Sequence, residues 1–229
     1  MRIIKPSAHF EGHPIGNEML RVIEEAGRTC YKSEDKIKAG SAEDFARMLI
    51  RRGHESVLEH VSLRARFIID RGVSHELVRH RVASYSMESS RFCNYSGERF
   101  GREITFIQPL WVSLEENTEN DKERYRGQTQ PDQSWLIAME ECERLYFRLL
   151  DLGWTAQQAR SVLPNSLKTE LVMTANAREW RQVFKLRCSP AAHPQMREVM
   201  LPLLKEAHSV CPVLFEDLYI EYFGHGDPE

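Results

Sequence analysis

The segment Leu63–Asp70 limits the fold more than any other part of the chain. Every second residue from Leu63 to Ile69 is apolar, whereas Arg64 and Arg66 stand between them. This period of two predicts a β-strand with one face in the core and the other toward solvent. Segments of helical periodicity lie before and after it, without a regular strand–helix–strand alternation. We therefore expect an α+β fold, with helices packed on a mainly antiparallel sheet, in a single domain spanning residues 1–229.

Periodicity and helix start and stop signals predict the other elements. Strands are expected at Ile3–Ile4, Glu103–Gln108 and Leu171–Ala175. Helices are expected at Asn17–Ala26, from a cap at Ser41 to Gly53, at Val73–His80, at Trp135–Leu152, from Thr155 to before Pro164, from Asn176 to about Arg187, at His193–Val210 and at Pro212–Phe223. Pro202 should kink or split the helix that contains it. Residues 113–134 carry almost no apolar side chains, which predicts a polar loop or insertion.

The charge balance bears on the kind of ligand. With 31 basic and 34 acidic residues the net charge is −3, which argues against nucleic acid or an anionic membrane as a bulk electrostatic partner. Only eight of the basic residues are Lys and 23 are Arg, whose guanidinium suits bidentate contacts to an anionic small ligand. No apolar run approaches the roughly 20 residues that cross a bilayer. The five cysteines form no CxxC pair, so a reducing, cytoplasmic location is expected.

The segment Arg79–Arg91 is the densest polar cluster, with three Arg, one His and four Ser. Forked guanidinium donors, hydroxyls and backbone N–H groups suit phosphate oxygens. Composition alone leaves a solvated helix face and a nucleic-acid patch open, although nearby Glu residues disfavour the patch. A second cluster, Gly53–His60, places two His six residues apart, whereas a HExxH metal helix needs them four apart. No P-loop motif occurs, and no Rossmann GxGxxG follows a strand.

These clusters, taken together, resemble the flavin-dependent thymidylate synthase family. Its signature is Arg-His-Arg, seven residues and Ser, a spacing that Arg79-His80-Arg81 and Ser89 match. Gly53–His60 resembles the family's upstream His-Glu segment. The C-terminal blocks of the family are matched in order by Arg160–Pro164, Asn176–Arg178 and Leu186-Arg187. The resemblance covers roughly residues 25–95 and 155–200 and implies a Thy1-like α+β fold.

The resemblance implies reductive methylation of deoxyuridylate (dUMP) to thymidylate (dTMP), with 5,10-methylenetetrahydrofolate as carbon donor, NADPH as reductant and FAD as bound cofactor. It also implies a homotetramer with shared active sites, and no metal, nucleic acid or membrane. The implied FAD-binding residues are His54, Ser56, Glu59, Arg79, His80, Arg81, Asn176, Arg178 and Gln182. The implied dUMP-binding residues are Glu76, Met87, Glu88, Ser89, Ser90, Arg91, Arg160 and Arg187, with Arg187 and Ser89 as the catalytic pair.

Two of these roles can be argued chemically. A guanidinium at Arg187 beside the pyrimidine carbonyl would stabilise negative charge that develops on the ring. Ser89 has no adjacent base, so we expect it to donate a hydrogen bond to the nucleotide rather than to attack it. Met87 departs from the Glu or Gln expected there, so a polar contact to nucleotide is either missing or supplied by Glu88. Phe92 stands where Tyr is usual, which removes one hydroxyl.

Two rival functions make different predictions. One is a metal-dependent hydrolase with the ligands His54, His60, His75 and His80. It predicts bound zinc and loss of activity with a chelator. The other is a non-catalytic RNA-binding module built on residues 79–102, which predicts salt-sensitive RNA affinity. Both leave the Arg residues of the C-terminal blocks without a purpose.

Overall fold

The computed structural model describes residues 1–12, 16–114 and 129–224. The strands are β1 (Arg2–Ile4), β2 (Ser7–Glu11), β3 (Ser62–Asp70), β4 (Ala83–Met87), β5 (Thr105–Ile107) and β6 (Lys168–Asn176). The α-helices are α1 (Gly16–Thr29), α2 (Ser41–Arg51), α3 (Arg71–Leu77), α4 (Gln130–Asp151), α5 (Ala156–Ala159), α6 (Ala177–Arg187), α7 (Pro194–Val210) and α8 (Pro212–Phe223). Short 3₁₀ helices span Glu34–Lys36, Glu55–His60, Glu98–Phe100 and Arg160–Val162.

The larger sheet confirms the α+β prediction. Its strand order is β2–β3–β6–β4, so β2 and β4 form its edges, and it is antiparallel. In β3 the predicted alternation holds, because its apolar positions from Leu63 to Ile69 are buried. The strands β1 and β5 form a separate parallel pair in which Ile3 lies opposite Phe106.

The chain divides into two compact units. Unit 1 comprises Met1–Pro6, Ile68–Leu77 and Met87–Leu171, and unit 2 comprises Ser7–Phe67, Val78–Ser86 and Val172–Glu229. A hydrophobic core cluster of unit 1 comprises Tyr95, Ile104, Phe106, Met139, Tyr146, Phe147, Ala159 and Leu167. In this core the rings of Tyr95 and Tyr146 lie 5.8 Å apart, which fixes the segment after Ser89 against α4.

Unit 2 is built around the buried side chain of Trp180 on α6. Its ring lies 5.1 Å from that of Phe10 and 5.7 Å from that of Phe184, and its Nε1 donates a hydrogen bond of 3.0 Å to the carbonyl of Leu63. Truncating such a buried aromatic residue to Ala costs about 3–5 kcal/mol of folding free energy. The position of α6 is therefore set by the core of unit 2.

Several predicted element boundaries are wrong. Helix α4 begins at Gln130 rather than Trp135, because Pro131 in its first turn loses no intrahelical hydrogen bond there. Residues 130–134 of the predicted loop 113–134 are therefore helical, and residues 115–128 of it lie outside the described residues. Pro202 does not split its helix: α7 runs unbroken through it, with Val199 and Leu203 buried on either side. The single-domain assignment stays a prediction.

Two strands and one cap were not predicted correctly. Strand β2 had no predicted counterpart, and β4 lies inside the polar segment Arg79–Arg91, where no strand was predicted. As an edge strand β4 is mostly exposed, so its serines give no apolar alternation to detect. Helix α2 is preceded by Gly40 in the left-handed region, at φ 79°, as its N-cap. The hydroxyl of Ser41 donates instead to Glu24, at 2.8 Å.

Candidate functional site

The N-terminal end of α6 organises the predicted flavin residues of unit 2. As predicted, Asn176 caps α6, and its side-chain oxygen accepts the N–H of Glu179 at 2.8 Å. The N–H of Ala177 donates to the carbonyl of Val61 at 2.8 Å, just after the 3₁₀ helix Glu55–His60. The first turn of α6 is thereby held close to the end of the segment that carries His54, Ser56 and Glu59.

A buried cation ties this end of α6 to α8. Arg181 is 2% exposed and donates to both carboxylate oxygens of Asp217, at 2.8 and 2.6 Å. It also donates to the carbonyl of Leu214, and its Nε lies 3.4 Å from Glu55. Breaking such a buried pair is costly because it leaves an uncompensated charge. Sequence reasoning missed Arg181, because its position in the sequence pattern does not distinguish it from an exposed basic residue.

His80 lies at the centre of a second group in unit 2, which we call the His80 cluster: His80, Tyr85, Glu179 and Arg187. The Nε of Arg187 donates a hydrogen bond of 2.9 Å to Nε2 of His80. The other ring nitrogen, Nδ1, lies 3.4 Å from a carboxylate oxygen of Glu179. The hydroxyl of Tyr85 donates to the backbone carbonyl of His80 at 2.8 Å. The structure thus joins two residues predicted for the site, His80 and Arg187, across 107 positions of sequence.

The electrostatics of the cluster keep His80 neutral near pH 7. Burial of the ring, reinforced by the charge of Arg187, lowers the pKa of His80 from 6.5 to about 4. Burial and the neighbouring Glu179 raise the pKa of Tyr85 to about 12, so it stays protonated. Burial also raises the pKa of Glu179 above its usual value. The cluster therefore holds a neutral imidazole next to a permanent cation.

Unit 2 also contains exposed hydrogen-bond donors that were predicted to bind the cofactor. Within the part of the chain that the structure describes, the exposed side chains of Arg79 and Arg81 make no ion pair. Arg178 pairs with Glu59 at 2.6 Å, and both side chains are about half exposed. The other exposed donors of unit 2 predicted for the cofactor are His54, Ser56 and Gln182. Guanidinium groups without an ion pair, together with hydroxyl and amide donors, are the kinds of group that bind the phosphates of a dinucleotide cofactor.

Unit 1 contains the second set, which we call the Ser89 turn: Ser89–Cys93 with Arg160 and Gln157. The carbonyl of Ser89 accepts the N–H groups of Phe92 and Cys93, at 3.0 and 2.9 Å, which closes the turn. Arg160 donates to the hydroxyl of Ser90 at 3.3 Å, and Arg91 donates to the side chain of Gln157 at 2.9 Å. The turn thus combines two guanidinium groups with the hydroxyls of Ser89 and of the buried Ser90, a set of groups suited to a phosphate.

Glu88 has a structural task inside unit 1. One carboxylate oxygen accepts from Tyr95 at 3.1 Å, and the other accepts from Lys168 at 2.9 Å. Burial alone would lower the pKa of Lys168, but its hydrogen bonds to Glu170 and Glu88 raise it, so it remains charged. A contact from Glu88 to nucleotide stays a prediction, as do contacts from the exposed Met87 at the end of β4 and from Glu76 on α3.

The histidines proposed for the metal-dependent rival are not arranged as a metal site in the described part of the chain. Among the described residues, no group of three His, Cys, Asp or Glu side chains could hold a metal ion. The Nε2 atom of His80, one of the four proposed ligands, accepts from Arg187 instead. None of the helices in the described ranges is long and apolar enough to cross a membrane.

Besides Arg181, sequence reasoning missed four residues that contact the predicted ones: Tyr85, Gln157, Lys168 and Glu179. Only Glu179 carried a signal, because an acidic residue three positions after an Asn cap is typical of a helix start. That signal explains its backbone but not its contact with His80. The other three make contacts that local spacing does not encode.

Comparisons with known proteins agree with the resemblance. The family model described as thymidylate synthase complementing protein matches residues 16–213. A flavin-dependent thymidylate synthase of Geobacter sulfurreducens is 36% identical over 199 residues, covering 84% of this chain and 78% of that protein. One from Pyrococcus furiosus is 32% identical over 183 residues, covering 79% and 68%. The UMP/dUMP methylase PolB of Streptomyces cacaoi, solved with 5-Br dUMP, is 26% identical, with a TM-score of 0.73 over 100% of both chains.

Proposed function

Because the chain belongs to the flavin-dependent thymidylate synthase family, we propose that it converts dUMP to dTMP by reductive methylation. The carbon comes from 5,10-methylenetetrahydrofolate and the reducing equivalents from NADPH, with FAD as the bound cofactor. Since NADPH supplies the electrons, the folate leaves as tetrahydrofolate. The observation that carries the proposal is the hydrogen bond between Arg187 and neutral His80, which unites the Arg-His-Arg motif with the C-terminal block.

We propose that unit 2 binds the cofactor. FAD, when bound, supplies a carrier that accepts two electrons from NADPH. The residues that would hold it are His54, Ser56, Glu59, Arg79, His80, Arg81, Asn176, Arg178 and Gln182. The uncompensated Arg79 and Arg81 support the assignment, because a diphosphate needs cationic donors that are not already neutralised by the protein.

The Ser89 turn would bind the phosphate of dUMP. Its hydroxyls and the guanidinium groups of Arg91 and Arg160 are the donors, held by Gln157 and by each other. Among the described residues, the one hydrogen bond to the Ser89 hydroxyl comes from the N–H of Arg91, and no base contacts it. This arrangement supports a binding role for Ser89 over a nucleophilic one.

Arg187 would act on the pyrimidine. Its positive charge would stabilise the negative charge that develops on the ring as C5 attacks the donor carbon. The hydrogen bond to His80 restricts the orientation of the guanidinium, so little reorganisation is needed during the reaction. This route requires no cysteine adduct, and Cys188, the next residue along the chain, is buried with its pKa raised to about 12.

The proposal also includes an oligomeric state and a cellular location. We expect the homotetramer implied by the family, which light scattering would test against a monomer mass of 26.7 kDa. All five cysteines are free thiols, which supports a reducing cytoplasmic location.

Release of tritium from C5-tritiated dUMP tests the reaction. Purified protein receives FAD, NADPH and methylenetetrahydrofolate, and each component is omitted in turn. We expect release that depends on FAD and NADPH. A folded protein that neither releases tritium nor retains flavin would contradict the proposal, and zinc-dependent hydrolysis or RNA binding would identify a rival.

A further inference from the structure

Glu179 and Arg187 contact opposite edges of the same imidazole. They lie at the two ends of α6, eight residues apart, which corresponds to about 12 Å of rise along the helix. Between them is His80, a residue that is 7% exposed. Its Nε2 faces Arg187 at 2.9 Å and its Nδ1 faces Glu179 at 3.4 Å.

The contact between Arg187 and His80 can form in only one of the two neutral tautomers of His80. A guanidinium has only donors, so this contact exists only while Nε2 of His80 offers a lone pair to it. A neutral imidazole has one N–H, which therefore belongs to Nδ1, the nitrogen beside the Glu179 carboxylate. The opposite tautomer would place an N–H against the Arg187 donor and the lone pair of Nδ1 against a carboxylate.

We propose that Glu179 is a positioning residue: by favouring the Nδ1–H tautomer of His80, it keeps Nε2 as the acceptor that orients Arg187. The backbone of His80 is held separately, by the hydroxyl of Tyr85. This inference rests on the proposed function only where it assigns Arg187 to the substrate. The tautomer itself can be tested without any activity.

A favourable interaction with the dipole of α6 is the alternative explanation for the presence of Glu179. An acidic side chain in the first turn of a helix interacts favourably with the helix dipole, whatever lies nearby. That role would be lost in Glu179→Gln as well as in Glu179→Ala, because both remove the charge. The positioning role separates the two variants, since the Gln side-chain oxygen can replace the carboxylate oxygen as the acceptor group that faces Nδ1–H.

Nitrogen NMR of protein labelled with ¹⁵N-His gives the direct test, with the His80 signals identified by their loss in His80→Gln. In the wild type we expect a protonated Nδ1 and an unprotonated Nε2. In Glu179→Ala we expect a tautomer mixture, and in Glu179→Gln the wild-type pattern. A protonated Nε2 in the wild type, or an unchanged spectrum in Glu179→Ala, would overturn the inference.

Kinetics provide the second readout. Loss of such an orienting partner lowers activity on the order of 10- to 100-fold, so we expect a fall of that size in kcat for Glu179→Ala, with the KM for dUMP nearly unchanged. Glu179→Gln should retain most of kcat. The control Glu25→Ala, which removes an exposed carboxylate paired with Arg21, should match the wild type. Equal losses in the Ala and Gln variants would contradict the inference. An inactive wild type would instead contradict the proposed function, while the NMR result would still decide on Glu179.

Discussion

The His80 cluster and the Ser89 turn both contain Arg side chains, but these differ in their hydrogen-bond partners and in their proposed roles. In the His80 cluster the imidazole is buried and neutral, and the adjacent guanidinium is oriented by it. In the Ser89 turn Arg91 is exposed and bonded to a neutral amide, and Arg160 to a hydroxyl. Burial fixes the position of a proton and a charge, which suits stabilisation of a reacting ring. The exposed guanidinium of Arg91 keeps N–H donors accessible to a phosphate, in line with the binding role proposed for this turn.

The largest effect is expected at Arg187. Replacing it with Ala should lower kcat about 100- to 1,000-fold, the loss typical of a preorganised electrostatic group, while the KM for dUMP changes less. Steady-state tritium release would measure both constants. Lys185, exposed on the same helix, gives the matched control, Lys185→Ala, which should retain activity. A rise in KM with kcat intact would assign Arg187 to substrate binding. The His80 cluster and the Ser89 turn would then have the same kind of role.

Arg160 should show the opposite pattern. A hydrogen bond to a charged group is worth about 1.5–3 kcal/mol, so Arg160→Ala should raise the KM for dUMP about 10- to 100-fold with little change in kcat. The control is Arg144→Ala, which removes an exposed Arg of unit 1 that pairs with Glu141. A matching loss of affinity in both variants would indicate general electrostatics rather than a phosphate contact.

The pH dependence of folding should distinguish the regions as well. The pKa of His80 is about 4 in the folded chain and near 6.5 when unfolded, so the unfolded chain binds the proton more readily. Stability is therefore complete above pH 6.5 and is lost as the pH falls toward 4, by on the order of 1–3 kcal/mol. Urea unfolding at pH 7 and 5 would measure the loss. His80→Gln should reduce it, and an undiminished loss in that variant would place the sensitive group elsewhere.

Ser89 should give the smallest effect. A neutral hydrogen bond contributes about 0.5–1.5 kcal/mol, so Ser89→Ala should raise the KM for dUMP by about two- to tenfold and leave kcat nearly intact. Isothermal titration with dUMP, together with kinetics, would separate the two terms. Abolished turnover with nucleotide binding intact would make Ser89 a nucleophile and turn the Ser89 turn into a second reactive centre.

The sequence predicted the helical scaffold better than the contacts of the site. Asn176 as a cap and Arg187 near the end of α6 were both predicted, because a polar cap and an apolar stripe are local signals. The hydrogen bond between Arg187 and His80 was not predicted, because it depends on how α6 is packed in the core through Trp180. Strand β4 was missed for a related reason: its pairing at the sheet edge is a tertiary property, and its serines resemble a loop.

Transfer of labelled carbon tests the central claim most directly. The purified flavin-loaded protein would be incubated with dUMP, NADPH and methylenetetrahydrofolate labelled in its methylene group. We predict labelled dTMP with an equal amount of tetrahydrofolate and no dihydrofolate, because the electrons come from NADPH. Equimolar dihydrofolate, or no labelled dTMP from protein that holds FAD, would contradict the account.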